Sequence, residues 1–322
     1  MAPRILRIGT RGSELALWQA RWVEAELTEA YPDLTISIDV IKTTGDRILE
    51  SPLWGIGDPG IFTREIEQSL LRRDIDIAVH SLKDLPTELP AALTIGAVTA
   101  REDVRDVFIP HLNNGRRRLM EQAEGASIAT GSLRRRCQLM AMGRRFEVAE
   151  VRGNLNTRMR KLAESEWAGM ILAHAGILRL GWEDRIGEVL PVSVLLPAVG
   201  QGALAVEIRS GDERVASLVQ SLDDEPTRRA TWAERALLRR LQGGCQIPVG
   251  AYGRIEYDAR GHAVLVLDAL VGSLDGQRIV RGSLSGDPVD AEGVGVRLAE
   301  SLLRDGAEEI LSEIRQMRTP EQ

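Results

Sequence analysis

Short runs of alternating apolar and polar residues give way repeatedly to helical spacing along this chain. "RILRIGT" (4–10) reads as a strand and "RGS" as a turn. "ELALWQARWVEAELTEAYP" (14–32) reads as a helix with Leu15, Trp18, Trp22 and Ala25 on one face, stopped before Pro32. "TISIDVIKT" (35–43) predicts a second strand, "IFTREIEQSLLRR" (61–73) a helix, and "DIDIAVH" (74–80) a strand. The grammar recurs further on: "ASIAT" strand, "GSLRRRCQLMAMG" helix, "FEVAEVR" strand, "LNTRMRKLAES" helix, then "GMILAHAGILRLG" as strand and turn into helix. Strands alternating with helices specify α/β layers around mostly parallel sheets.

From Asp224 the pattern changes. "DEPTRRATWAERALLRRLQGG" predicts a helix with Pro226 in its first turn and Gly243 or Gly244 past its end. Three strand-like runs follow, "VGAYGRIEY", "HAVLVLDALVG" and "QRIVRGSLSG", joined by "DARG" and "SLDG". One continuous helix is then expected over "DAEGVGVRLAESLLRDGAEEIL" (290–311). The reading is two α/β domains and a C-terminal α+β domain with a three-stranded antiparallel sheet.

Composition narrows the class. Apolar residues at 43% and charged residues at 27% are ordinary for a water-soluble globular chain. No apolar run is long enough to span a membrane, and the first residues lack the apolar core of a signal peptide, so a cytoplasmic location is expected. Two cysteines, Cys137 and Cys245, make neither a disulfide framework nor a multi-thiolate metal site. The four histidines are scattered, and no metal is expected. Charge is informative by position: residues 134–161 hold nine bases and two acids, a local +7, within a chain of net −6. A basic island in an acidic protein marks a place where anions go.

In an open α/β sheet ligands lie beyond the carboxyl ends of the strands. Arg11 and Ser13 follow the first predicted strand, and Ser81, Lys83 and Asp84 follow "DIDIAVH". Ser132, Arg134 and Arg135 follow "ASIAT", whereas Arg152, Gly153, Asn154 and Arg158 follow "FEVAEV". Helix N-termini and arginine forks both bind anions. Each residue also has a plainer role: Ser13 and Ser132 as N-caps, Arg11 and Arg158 on the surface, Asp84 in a turn, and Cys137 as a small buried hydrophobe. Cys245 lies in the glycine loop "LQGGCQIPVG", accessible, but facing the negative end of its helix, which does not activate a thiol. Aromatics are only 4% of the chain, which removes stacking platforms for single-stranded nucleic acid, and neither GxxxxGK[ST] nor GxGxxG is present. A small organic polyanion fits best.

Six blocks, "IGTRGSELALWQA", "DIAVHSLKDLP", "TGSLRRRCQL", "VRGNLNTR", "LPAVGQGA" and "LQGGCQIPVG", together resemble the porphobilinogen deaminase family over essentially the whole chain. The resemblance implies a transferase that condenses four porphobilinogen molecules head to tail with loss of ammonia, giving hydroxymethylbilane for tetrapyrrole synthesis. It implies a dipyrromethane cofactor on a thioether to Cys245, with further cofactor contacts at Lys83, Asp84, Thr130, Ser132, Arg134, Arg135, Arg152 and Gly153. Substrate contacts fall on Arg11, Ser13, Gln19, Arg158 and Arg179, and Asp84 is the catalytic residue. Two periplasmic-binding-protein-like α/β domains are implied, 1–101 with 200–222 and 102–199, followed by a cofactor-attachment domain, 223–322. A monomer is implied, with porphobilinogen as partner, no nucleic acid or membrane, and transient contact with a downstream cyclase. The chain departs from the family's GGKGLF stretch at "GDPGIF" (57–62), has Gly131 where serine is common, and carries His174 at a usually small position. The competing reading is a non-catalytic anion-binding protein of the same scaffold, with a thiol at Cys245 that stays unmodified.

Overall fold

The computed structural model describes residues 5–47, 60–115, 117–242 and 247–318. In chain order it begins with β1 (Ile5–Thr10), α1 (Glu14–Ala30), β2 (Thr35–Val40), α2 (Thr44–Arg47), α3 (Arg64–Leu71), β3 (Ile77–Ser81) and β4 (Leu93–Val98). Next come β5 (Asp106–Pro110), β6 (Ser127–Ala129), α4 (Leu133–Met140), β7 (Glu147–Ala149), α5 (Leu155–Ala163), β8 (Gly169–Ala173), α6 (His174–Arg179) and β9 (Glu188–Leu190). The chain continues through β10 (Leu204–Arg209), α7 (Glu213–Val219), α8 (Glu225–Arg240), β11 (Val249–Tyr257), β12 (Ala263–Gly272), β13 (Ile279–Gly286), α9 (Ala291–Leu302) and α10 (Glu308–Arg318).

Two compact units result. The first comprises Met1–Leu49, Asp58–Glu102 and Gly202–Arg228, and the second Glu50–Gly57, Asp103–Gln201 and Arg229–Gln322. The first holds a five-stranded sheet in the order β2-β1-β3-β10-β4. β1 is parallel to β2 and β3, whereas β10 is antiparallel to both β3 and β4. Strand alternation assigns its two faces. Leu6, Ile8, Ile77, Val79, Val206 and Ile208 pack with Val23 and Leu27 of α1 and with α7, while Ala78 packs with Ile66 and Leu70 of α3. The α1 stripe differs from expectation: Ala16, Gln19, Ala20, Val23 and Leu27 are buried, and Ala25 is exposed. Small residues let the helix backbone approach the sheet, and the bulky Trp22 packs at the margin.

The second unit repeats the strand order as β7-β6-β8-β5-β9, with β6 parallel to β7 and β8, and β5 antiparallel to β8 and β9. Phe108, Ile128, Leu139 and Ile171 form one core layer, and Val107, Ala129, Leu162, Leu172 and Ile177 the other. The same unit holds the antiparallel sheet β11-β12-β13, covered by Leu237 of α8, Val294 and Leu298 of α9 and Ile310 of α10. The expected fold class is the one found: two α/β sheets of like order and an antiparallel α+β sheet. The last helix is not continuous, because Gly306 at φ 109° interrupts it between α9 and α10.

Gly202 opens the last segment of the first unit at φ 95°, where an added Cβ would press into the Glu102 carbonyl. Glu102 donates its N–H back to the Gly202 carbonyl at 3.3 Å. Gly202→Ala is therefore expected to lower stability by about 1–3 kcal/mol, read as a lower urea midpoint with unchanged slope.

Candidate active site

The first unit presents its candidates at the carboxyl ends of β1 and β3. Ser13 caps α1, its hydroxyl accepting the Ala16 N–H at 3.3 Å. A cap of this kind uses an oxygen lone pair and leaves the O–H to donate, so capping and ligand contact are compatible. Arg11 donates from Nε to Asp46 Oδ1 at 3.2 Å and from Nη2 to the same carboxylate, with its guanidinium 4.4 Å from the Phe62 ring centroid. Burial works to raise the Asp46 carboxyl, but Arg11 and the Thr43 hydroxyl at 2.8 Å hold it below its usual range. Buried Gln19 donates to Ser81 Oγ at 2.9 Å. Just beyond, Leu82–Asp84 forms a 3-10 turn that leaves Lys83 and Asp84 half-buried. The Asp84 carboxylate enters none of the ion pairs or side-chain hydrogen bonds among the described residues.

In the second unit the candidates follow β6, β7 and β8. Buried Thr130 accepts the Ser132 N–H at 3.2 Å, and Ser132 caps α4 by accepting the Arg135 N–H at 3.4 Å. Gly131 is required by packing, since a Cβ there would stand 2.5 Å from the Val151 carbonyl oxygen. The serine common at this position in the resembling family would not fit this backbone. Asn154 caps α5, and Arg158 donates to the Gly153 carbonyl at 2.8 Å. Half-buried Arg152 has Nη1 buried without a hydrogen-bond partner. Arg179 ends α6 half-buried, and His174 begins it with Nδ1 3.0 Å from Asp103 Oδ2. Burial opposes ionisation of Asp103, but its contacts with Arg105 and His174 bring the carboxyl down to about 2.

Arg134 and Arg135 are placed differently from simple ligand arms. Both are buried, and both hold Asp106, which is fully buried at the start of β5. Arg134 Nη1 reaches Asp106 Oδ2 at 2.7 Å and the Leu196 carbonyl at 2.6 Å; Arg135 Nη2 reaches Asp106 Oδ1 at 2.8 Å and its Nη1 the Ile171 carbonyl at 3.0 Å. Gln201 Nε2 adds a bond to Asp106 Oδ1 at 2.9 Å. Burial alone would raise the Asp106 carboxyl; the paired guanidinia overcome it and hold it far below the ordinary range. The triad has net charge +1, and Nε of each arginine is buried without a partner. Sequence reasoning missed Asp106, Gln201 and Asp46. Gln201 lies in a quoted block, but nothing in local sequence marks the two aspartates.

Cys245, with Gly243, Gly244 and Gln246, lies outside the described residues, as do Asp58 and Pro59. The described chain stops at Gln242, just past α8, and resumes at buried Ile247 ahead of β11. Cys137 is fully buried with Sγ 3.2 Å from the Arg134 carbonyl, and burial pushes its thiol up to about 12, the inert state expected of it. No helix of the described residues is long and apolar enough to cross a membrane.

Asp106→Asn strands two buried guanidinia and is expected to cost about 3–5 kcal/mol at neutral pH. A depressed carboxyl contributes stability above its unfolded value, near 4, and loses it as pH falls toward the folded value. The difference between wild type and variant in denaturant titrations is therefore expected to narrow progressively below about pH 4.

Two family models match successive parts of the chain. Residues 6–217 match the model for "porphobilinogen deaminase, dipyromethane cofactor binding domain", and residues 229–304 that for "porphobilinogen deaminase, C-terminal domain". A porphobilinogen deaminase of Chlorobium phaeobacteroides strain BS1 is 50% identical over 314 residues, 96% of this chain and 98% of that protein. The one from Chlorobaculum tepidum is 49% identical over 316 residues, 97% of this chain and 99% of that protein. Among solved structures, the methionine binding protein MetQ aligns with TM-score 0.42 and 12% identity over 68% of this chain and 90% of its own.

Proposed function

The chain belongs to the porphobilinogen deaminase family, and we propose from that premise that Asp84 carries the chemistry while the arginines and hydroxyls at the strand ends hold carboxylates. The enzyme condenses four porphobilinogen molecules head to tail into hydroxymethylbilane, releasing ammonia, in tetrapyrrole biosynthesis. Its dipyrromethane cofactor, when bound, supplies the primer from which the chain grows. The residues present suit such a group. Each pyrrole ring brings two acid side chains, Arg152 Nη1 is buried without a partner, and the Ser132 hydroxyl keeps its proton to donate.

Thr130, Ser132, Arg134, Arg135, Arg152, Gly153 and Lys83 are assigned to the cofactor's acid groups, and Cys245 to its attachment. Arg11, Ser13, Gln19, Arg158 and Arg179 are assigned to the substrate. In this division Arg134 and Arg135 act as a buried positive pole of net +1 shared with Asp106, and less as arms that reach a ligand. Arg11 meets a substrate carboxylate by releasing part of its bond to Asp46. As ammonia leaves the substrate's aminomethyl carbon, positive charge spreads onto the pyrrole nitrogen. Asp84 accepts the N–H hydrogen bond there and takes part in moving the proton. That the carboxylate has no side-chain partner among the described residues is the observation that supports this role.

The same reading divides the chain into 1–101 with 200–222, 102–199 and 223–322. It makes the protein a cytoplasmic monomer that binds neither nucleic acid nor membrane and touches a downstream cyclase only transiently.

Denaturing intact-mass measurement tests the attachment. A species heavier by two pyrrole units, absent from Cys245→Ser, is expected; an unmodified wild-type chain supports the non-catalytic anion-binding alternative. Asp84→Asn, loaded to the same mass, is expected to lose about 10²–10⁴-fold in kcat for hydroxymethylbilane formation. Retained turnover removes Asp84 from the mechanism.

A further inference from the structure

On the face of β3 opposite Ser81, His80 is 5% exposed, and its Nε2 lies 3.1 Å from Oε2 of Glu207, which is fully buried on β10. Glu207 stands opposite Ala78 in the ladder, so the side-chain bond runs diagonally from one strand to the other. Against β4, the register of β10 shifts at the same point, between Val206 and Glu207. Buried Glu67 of α3 completes the cluster. Burial pushes its carboxyl up, and the charge on Glu207 adds to that. Glu207 Oε1 is buried without a hydrogen-bond partner. Such a cluster stabilises poorly, because desolvated ionisable groups with unsatisfied oxygens are often matched or bettered by packed apolar side chains.

The next residues along the chain supply a reason for it. The Asp84 carboxylate has no side-chain support among the described residues, so the Leu82–Asp84 backbone sets its position. Among the ties that hold that turn to the end of β3 are three. Leu82 donates its N–H to the Ala203 carbonyl at 3.0 Å, Ser81 accepts from Gln19, and His80 binds Glu207. The first two act on the backbone and on the α1 face; the third is the side-chain tie on the α3 face, and it is directional where apolar packing is not.

We propose that His80 and Glu207 are a positioning pair that fixes the end of β3, and through it the aim of the Asp84 carboxylate, with Glu67 covering the pair from α3. The proposal rests on the reading that Asp84 is catalytic. It assigns neither residue a contact with substrate. It predicts that the pair governs turnover and leaves affinity nearly untouched, since misaiming a catalytic group by about 1 Å costs up to about 10²-fold in rate.

The test compares holoenzyme of wild type, His80→Phe, Glu207→Leu, the double variant, Glu207→Gln and Asp84→Asn, with kcat normalised to the loaded fraction from denaturing mass. Each apolar single variant is expected to lose about 10- to 100-fold in kcat with KM within about threefold. The double variant is expected to lose about as much kcat as the worse single and to melt no earlier than wild type. Glu207→Gln keeps an oxygen that accepts from the imidazole and is expected to recover kcat to within about threefold of wild type. Wild-type kcat in the double variant, with Asp84→Asn inactive, overturns the positioning role alone; full kcat in Asp84→Asn overturns the catalytic reading and the proposal with it. Equal losses in Glu207→Gln and Glu207→Leu also overturn it. Should the apolar variants fail to fold, His80→Asn, too short to reach Glu207, is read by the same kcat and KM criteria.

Discussion

In the second unit a buried carboxylate, Asp106, ties several stretches of chain together. Taking a carboxylate out of water costs several kcal/mol even after relaxation, and Asp106 is fully buried at the first position of β5. It is tolerated because Arg134, Arg135 and Gln201 converge on it from two other stretches of chain. The start of β5, the first turn of α4 and the segment ending at Gln201 are thereby fixed together. Arg134 extends the tie to the Leu196 carbonyl, and Gln138 one turn later both donates to and accepts from Leu196. The same segment then carries the C-terminal sheet. Ala251 donates to the Pro197 carbonyl at 3.0 Å, and Glu234 of α8 accepts the N–H groups of Gly200 and Gly253 at 2.7 Å each. The elements on either side of residues 243–246, α8 and β11, are thus tied to the segment that ends at Gln201.

The first unit uses charge in the opposite layout. Its buried ionisable groups lie on the α3 face of the sheet, with Arg209 bonded to the Leu70 and Ile75 carbonyls and to Asp76, and His80 bonded to Glu207. The opposite face is apolar from Leu6 to Ile208. A strand in this unit therefore shows one oily face and one wired face, and the wired face holds the backbone leading to Lys83 and Asp84.

Local chemistry was legible in the sequence where it acts locally. Ser13 and Ser132 stand as N-caps at the starts of helices as the pattern predicts, and the three C-terminal strands match their runs. Long-range choices were not legible. β4, β5 and β10 carry runs such as "LTIGAV", "DVFIP" and "LAVEIR", which read as strands only once their neighbours are known, and β10 enters its sheet between β3 and β4 across more than a hundred residues. The stripe on α1 was misjudged because bulk was weighed above closeness of approach; alanines bury where tryptophans do not fit. The partner of Arg134 and Arg135 was not legible either, because charge counting is blind to a single aspartate 28 residues upstream of Arg134 that neutralises half of their charge.

The carboxylates near the strand ends show why one of them stands out. Asp46 is held by Arg11, Asp103 by Arg105, and Asp106 by Arg134 and Arg135. Each is cancelled by a cation, which suits a surface meant to receive acids. Asp84 is not cancelled in this way among the described residues. An uncompensated carboxylate about 4 Å from a ligand carboxylate costs about 4 kcal/mol at an effective dielectric of about 20, and the same carboxylate gains a similar amount from a cation at that distance. In the role proposed for Asp84, an uncompensated carboxylate thus weakens the hold on an anionic ground state and strengthens the hold on a ring that has become positive. That difference between the two states is what accelerates a reaction. On that proposal, pairing Asp84 with an arginine would favour binding at the expense of turnover.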